Sequence, residues 1–347
     1  MTKFLEIAMV VVLAGGLIGA GFNPQPAKAE SAAEFYKKNV VTVVVGYSPG
    51  GGSDYAARLL ASYWPDATNG GAMIVKNMPG AGGLLATNYV NTTKPDGRTI
   101  VLGMFGGAYL MRHLIKDRAM RYDIKKLNWL VGVFHEAWGL HISIKRPYET
   151  VADLKKAKGL KFGSTSPYGP SSIFQAALID YLGLDAKIIT GYRGGSAMGL
   201  AGGKGEIDIA VQPTGTGLNS MKKGFLKAPF VNLSPERVKV FPDTPAFPEI
   251  LKLTPDQKAM FNQIDAATYI IRVGAAPPGV PADRVQFMRD AFAKVVKMKG
   301  FKRQSKLNFP LGPTPLLGKA LDKFVAEASN IDIGPMKALT KKYLAIK

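Results

Sequence analysis

The chain has 347 residues, no cysteine, and 45 basic against 25 acidic side chains, a formal charge of +20 at pH 7. The missing cysteines exclude a disulfide scaffold and a lipid-anchored cysteine, and the length exceeds one compact core and suits two domains. The positive excess brings nucleic acid, anionic surfaces and acidic small molecules into view as partners.

Residues 1–29 open with Lys3, continue as an apolar segment over 7–22 and end in Ala27-Lys28-Ala29, the small-x-small pattern of a signal-peptidase site. The apolar part is shorter than the roughly 20 residues that span a bilayer. The reading is a cleaved signal peptide, export to the periplasm and a soluble product beginning at Glu30. Nucleic acid fits poorly with export, and the basic residues are dispersed along the chain rather than gathered in one block, so no nucleic-acid role is expected.

Residues 40–45 are all β-branched and read as a strand buried on both faces. The run opens into Tyr47-Ser48-Pro49-Gly50-Gly51-Gly52, and Ser53 is placed to cap a helix carrying Asp54, Ala56, Ala57, Leu59 and Leu60. Such a loop lies where open α/β sheets bind ligands, and glycines let a ligand approach backbone N–H groups. Residues 73–75 read as a short strand feeding a second loop, Gly80-Ala81-Gly82-Gly83, then a helix over 84–90. A turn at Pro95-Asp96-Gly97 precedes a strand over 99–104 and a third small-residue loop, Phe105-Gly106-Gly107-Ala108. Three strand–loop–helix units in a row describe a doubly wound parallel sheet. Taken as a pair, the first two loops point to an anion site; taken singly, each reads equally well as a tight turn.

Residues 129–134 and 139–144 read as strands flanking a crossing into another domain. A capping box, Thr150 with Asp153, starts a second βα series. Its strand ends carry a hydroxyl-rich loop over 164–171 with Ser164, Ser166, Tyr168, Gly169 and Ser171. Further loops hold Tyr192, Arg193, Gly194 and Ser196, and then Gln212 to Thr216. Proline crowds 229–255, read as irregular structure with short helices. A strand over 267–273 returns to the first domain, followed by an amphipathic helix through Val285, Met288, Phe292 and Val295. Thr314 and Pro315 have cap chemistry for another helix, and the last segment is expected to be helical. The domains expected are 30–136 with 267–347, and 137–266.

Catalytic patterns are absent. His113, His135 and His141 lack metal-ligand spacing and read as packing or surface residues, so neither metal nor cofactor is expected. No Gly-x-Ser-x-Gly elbow, complete phosphate loop or full dinucleotide fingerprint is present. Asp54 and Arg58 are spaced for an i,i+4 ion pair. Arg193 is equally suited to a ligand carboxylate or to an interdomain salt bridge, and Trp138 and Tyr168 could wall a pocket or pack structurally.

Ser48-Pro-Gly-Gly-Gly-Ser-Asp54, then Asn77-Met-Pro-Gly-Ala-Gly-Gly83, then Lys94-Pro-Asp-Gly97 carry a resemblance. It continues through Gly191-Tyr-Arg-Gly-Gly-Ser196, Gly202-Gly-Lys-Gly-Glu-Ile-Asp208 and Ala276-Pro-Pro-Gly279. The chain resembles the Bug-type substrate-binding proteins of tripartite tricarboxylate transporters over nearly its whole exported length. The resemblance implies a two-domain periplasmic flytrap, not an enzyme. Such a protein acts as a monomer, holds a small organic carboxylate and delivers it to membrane components of a tripartite tricarboxylate-type transporter. It places the carboxylate at Ser48 to Ser53 and Gly80 to Gly83, with other contacts from 164–172, 192–196 and Gln212. Tyr47, Asp54, Phe105 and Gly106, in the same strand-end loops, complete the candidate set. A sensor subunit for a signalling receptor, or a secreted enzyme on a similar scaffold, are the alternatives.

Overall fold

The computed structural model describes residues 30–268, 270–332 and 334–344; the expected signal peptide and its cleavage point lie outside them. In chain order the elements begin with α1 (Ala32–Lys38), β1 (Val41–Val45), α2 (Gly52–Thr68), β2 (Met73–Asn77), α3 (Leu84–Asn91), β3 (Thr99–Met104), α4 (Met111–Leu114) and β4 (Asn128–His135). There follow β5 (Trp138–Ser143), α5 (Val151–Lys156), β6 (Leu160–Gly163), α6 (Pro170–Leu182), β7 (Ala186–Ile189), α7 (Gly195–Lys204), β8 (Ile209–Pro213), α8 (Thr214–Lys222) and β9 (Leu226–Leu233). The last are α9 (Phe247–Ile250), α10 (Pro255–Thr268), β10 (Ile270–Ala276), α11 (Ala282–Val295), α12 (Lys299–Ser305), α13 (Gly318–Ala328) and α14 (Gly334–Leu344).

Among the described residues the strands form two five-stranded sheets on one plan, β2-β1-β3-β10-β4 and β7-β6-β8-β5-β9. In each, four strands run the same way and one, β10 or β5, runs against its two neighbours. The expected α/β fold, with a mostly parallel sheet flanked by helices in each domain, is thus borne out. The chain passes from the first sheet to the second between β4 and β5, and returns between β9 and β10. β1 sits inside its sheet, Val43 lying between Val75 and Ile100, which explains a run with no polar alternation. Its two faces are covered by separate clusters. One holds Trp64 of α2 and Met288 and Phe292 of α11; the other holds Leu84 of α3 and Leu321 and Val325 of α13. One face of the second sheet packs on α6 through Phe174 and Leu178, and α10 covers α6 in turn with Phe261 against Phe174.

Several expectations change. Ser53 does not cap α2: Gly51 is the N-cap and Ser53 lies buried in the first turn. The third loop is already helical, since residues 105–110 wind as one π-type turn into α4. Thr214 to Thr216 open α8 instead of forming a loop. The front of the proline-rich stretch conceals the back of a strand: β9 carries Pro229, which a sheet edge tolerates because its missing N–H costs no ladder bond there. β10 begins later than the expected 267. Thr314 and Pro315 do not start a helix, because Leu316 pairs with Gly132 on β4 in extended form and α13 begins at Gly318. The capping box at Thr150 and Asp153 is present, with both reciprocal hydrogen bonds formed.

The C-terminal helix departs from the expected partition. α14 packs against α6 of the second sheet, burying Met336 and Leu339 in that core, and Asp180 accepts from Lys342 Nζ at 2.7 Å and Tyr343 Oη at 2.8 Å. The stretch 267–347, expected wholly in the first domain, thus crosses over once more at its end.

Candidate functional site

The strand ends of both sheets face a shared cavity enclosing about 570 Å³, its solvent-open part included. The first sheet's side contributes Tyr47, Ser48, Gly51, Gly52, Ser53, Gly82, Met104, Gly107 and Arg272. The second contributes Trp138, Thr165, Gly169 to Ser171, Gly194, Gly195, Met198, Pro213 and Thr216. Four helices aim their N-termini here: α2, α6, α7 and α8. Their N-caps are Gly51, Gly169, Gly194 and Pro213, none of which carries a side-chain acceptor for the first-turn N–H groups. Helix N-termini hold partial positive charge, so four converging on one space attract an anion, although at α8 the first donors are already taken, Thr214 N by Ala137 C=O and Gly215 N by Glu136.

Among the described residues the only charged side chain lining this space is Arg272, at mid-strand in β10. It is 1% exposed, pairs with the Glu136 carboxylate and lies over the Phe309 ring at 4.6 Å. Burial pulls its pKa down to about 9, still far above neutrality, so the guanidinium is charged at pH 7 with Glu136 as counter-ion. The other oxygen of Glu136 accepts from Gly215 N at 2.6 Å, on the first turn of α8. One carboxylate in the crossing segment therefore ties the first sheet's arginine to the second sheet's helix. Gly52 makes room for this arrangement: a Cβ there would stand 2.1 Å from Arg272 Nη2.

The first loop is knitted from behind. Asp54 accepts from Gly50 N at 2.9 Å, Asn77 Nδ2 at 2.9 Å and Arg58 Nη2 at 3.0 Å. Burial pushes its carboxyl pKa up, but these donors outweigh that and hold it below the usual value. The expected Asp54–Arg58 pair is thus formed, and its carboxylate faces away from the cavity and shapes the loop. Asn77 also donates to Tyr47 C=O at 3.0 Å. Burial pushes the Tyr47 hydroxyl pKa far up, so it remains a donor, to Gly82 C=O at 2.9 Å. Gly82 itself has φ +65°, a left-handed conformation that favours glycine, and a Cβ there would stand 2.7 Å from Ser166 Cβ.

Of the residues singled out from sequence, Tyr47, Ser48, Gly51, Gly52, Ser53, Gly82, Gly169, Ser171 and Gly194 line the cavity. The others stand behind or beside it. Gly80, Ala81 and Gly83 shape the second loop, and Ala81 C=O accepts from Arg112 Nη2 at 2.5 Å. Phe105 and Gly106 are buried, Phe105 against Trp129 and Phe324. Ser164 is buried in a hydroxyl network with Ser171 and Ser172, and Ser166 accepts from Tyr168 N and Arg112 Nη2. Tyr168 lies over the Arg112 guanidinium at 5.0 Å. Tyr192 packs with the Met198 cluster. Ser196 faces a small neighbouring pocket. Gln212 is buried, bridging Gly195 C=O and Ser220 Oγ. Arg193 points to solvent and forms no ion pair among the described residues; its carbonyl accepts from Ser48 N at 2.9 Å and Ser48 Oγ at 3.0 Å.

Arg272, Glu136, Met104 and Met198 escaped the sequence reading. The one signal was a lone arginine inside the apolar run Ile270-Ile271-Arg272-Val273. Among the described residues no cluster of His, Asp and Glu could hold a metal ion. His141 is buried, its Nδ1 donating to Lys227 C=O at 3.1 Å.

The profile of the tripartite tricarboxylate transporter family receptor, TctC, matches residues 56–337. The chain belongs to the TctC receptor family. The Bug-type resemblance carried by the glycine loops is thereby borne out. A Cupriavidus necator protein described as the UPF0065 protein in the gbd 5′ region is 26% identical to this TctC-family chain over 321 residues, 91% of each. The periplasmic binding protein BugD superposes with a TM-score of 0.73 at 21% identity, covering 89% of this chain and 98% of BugD. MatC from Rhodopseudomonas palustris, solved with bound malate, gives 0.69 at 19% identity, covering 87% and 99%. Both share the two-domain α/β fold of periplasmic binding proteins.

Proposed function

We propose that this TctC-family chain is a periplasmic solute-binding protein that captures a small organic carboxylate in the cavity between its two sheets. The observation that carries this reading is the convergence of four helix N-termini and one buried guanidinium on a single space. Backbone donors and a fixed cation stabilise a carboxylate without any group able to cleave or transfer a bond. The malate held by MatC is a precedent for the ligand class on this fold. The domains are 30–136 with 267–333, and 137–266 joined by α14. The carboxylate sits against Ser48 to Ser53, Gly82 and Arg272, and Gly169 to Ser171, Gly194 and Thr216 contact the rest of the ligand. The monomer then presents its ligand to the membrane components of a tripartite tricarboxylate-type transporter. No helix of the described residues is long and apolar enough to cross a membrane, which fits release after cleavage at Ala29.

The test is a thermal-shift screen of organic carboxylates, followed by calorimetry on the hits. A ligand at 100 times its dissociation constant stabilises by about 2.7 kcal/mol. Gly52→Ala, whose new Cβ displaces Arg272, is expected to remove most of that shift, and recovered ligand should be chemically unchanged. A screen with no stabilising carboxylate, or turnover of one, would overturn the reading. Mass spectrometry of periplasmic protein should find Glu30 at its N-terminus; a retained leader would refute cleavage.

A further inference from the structure

The basic residues, expected to be dispersed along the chain, include one dense run after all. No acidic residue occurs between Asp290 and Asp322, whereas Lys294, Lys297, Lys299, Lys302, Arg303 and Lys306 follow one another closely. All six are exposed. None takes part in an ion pair found among the described residues.

The scaffold beneath them is rigid. Phe301 and Ser305, one helical turn apart on α12, are both fully buried, which leaves Lys299, Lys302, Arg303 and Lys306 on the outward side. Tyr55 Oη and Tyr63 Oη of α2 donate to Gln304, to its carbonyl at 2.8 Å and its side-chain oxygen at 3.2 Å. Directly beyond the cations Leu307 is 65% exposed and Leu311 41%. Leu307 is the most exposed large apolar side chain among the described residues.

We propose that this face docks on an anionic phospholipid bilayer. Clustered lysines and arginines are drawn to a negatively charged membrane surface, and apolar side chains beside them enter the headgroup boundary. A soluble anion would need a concave site, and these residues line neither the cavity between the sheets nor the small pocket beside Ser196. An acidic protein would satisfy the cations yet gives no reason for two bare leucines at their edge. The inference is independent of which ligand the cavity takes. It would restrict the receptor's search for a membrane partner to two dimensions.

Co-sedimentation of the protein, purified from cells expressing the full chain, tests the proposal. The probes are vesicles of phosphatidylglycerol with phosphatidylcholine, and of phosphatidylcholine alone. Binding is expected only to the anionic vesicles and is expected to vanish in about 0.5 M salt, where charge interactions are screened within a few ångströms. The double variant Lys302→Glu/Arg303→Glu should lose about tenfold or more of its partitioning. Leu307→Ser/Leu311→Ser should weaken binding at unchanged charge. Lys155→Glu/Lys156→Glu on α5 makes the same change in net charge elsewhere and should retain binding; melting curves verify that each variant is folded. Equal losses in the α5 and α12 variants would reduce the effect to overall charge and overturn the proposal. So would absent vesicle binding, and in that case lost uptake in cells carrying the α12 variant would assign the face to an acidic protein.

Discussion

Arg272 and Glu136 are each almost wholly buried, and each compensates a charge the other could not leave in water. Breaking one member of such a pair typically costs about 3–5 kcal/mol because a bare charge remains, whereas replacing both is often nearly neutral. Arg272→Met should therefore destabilise by about that amount, and Arg272→Met/Glu136→Gln should recover most of it. Ligand affinity should stay low in both, because the cavity has lost the cation that lines it. Denaturant melts and calorimetry on the two variants separate the structural from the binding role. His141 offers a second residue-scale test. Burial pulls its pKa down to about 4, against the lift given by Lys227 C=O. Between that value and the unfolded 6.5 the unfolded chain takes a proton that the folded chain refuses. Stability should then fall by about 1.4 kcal/mol per unit as pH drops through this window. Asp265, pushed up to about 6 by burial, acts in the opposite sense over part of the range. The informative quantity is thus the difference in slope between wild type and His141→Asn, which should be flatter.

At the scale of elements, β1 and α2 illustrate how far pattern reasoning reaches. A β-branched run, three glycines and an apolar helix face sufficed to place strand, loop and helix. They did not place the cap, because Gly51 rather than Ser53 takes the extended conformation before the first turn. β9 was illegible since Pro229 reads as a breaker until the strand is known to lie at an edge. Residues 314–316 were misread because their pairing partner, β4, is almost two hundred residues away in sequence. α14 carries an expectation of its own. Met336 is fully buried in the second core, so Met336→Ala should cost about 2–5 kcal/mol in a denaturant melt. A loss well under 1 kcal/mol would mean that α14 is not part of that core in solution.

Across the whole molecule, the two sheets are tied together around the cavity's rim. Ser48 donates to Arg193 C=O, Asn219 to Asn308, Gly215 to Glu136, and Arg112 reaches Ser166. These are contacts that an opening of the cleft would have to break. Ligand should favour the closed form, lowering the radius of gyration seen by small-angle scattering. Arg112→Leu, which removes the Ser166 and Tyr168 contacts, should enlarge the unliganded particle and weaken binding by about tenfold. An unchanged radius in both experiments would argue against a hinge.

The glycine loops, the paired βα series and the family resemblance were all legible in the chain, because each rests on local chemistry: β-branching, backbone freedom and helix caps act over a few residues. The cavity's composition was not. Arg272 and Glu136 are 136 positions apart, and the Gly215 N–H that completes their arrangement belongs to the other sheet. Arg193 read equally well as a cation for the ligand or as an interdomain salt bridge, yet the fold turns it to solvent, and Ser164 and Gln212 spend their polar groups inside the second domain. Which charge faces the ligand depends on how the two sheets meet, and that is fixed by burial and long-range pairing that no local stretch of sequence encodes.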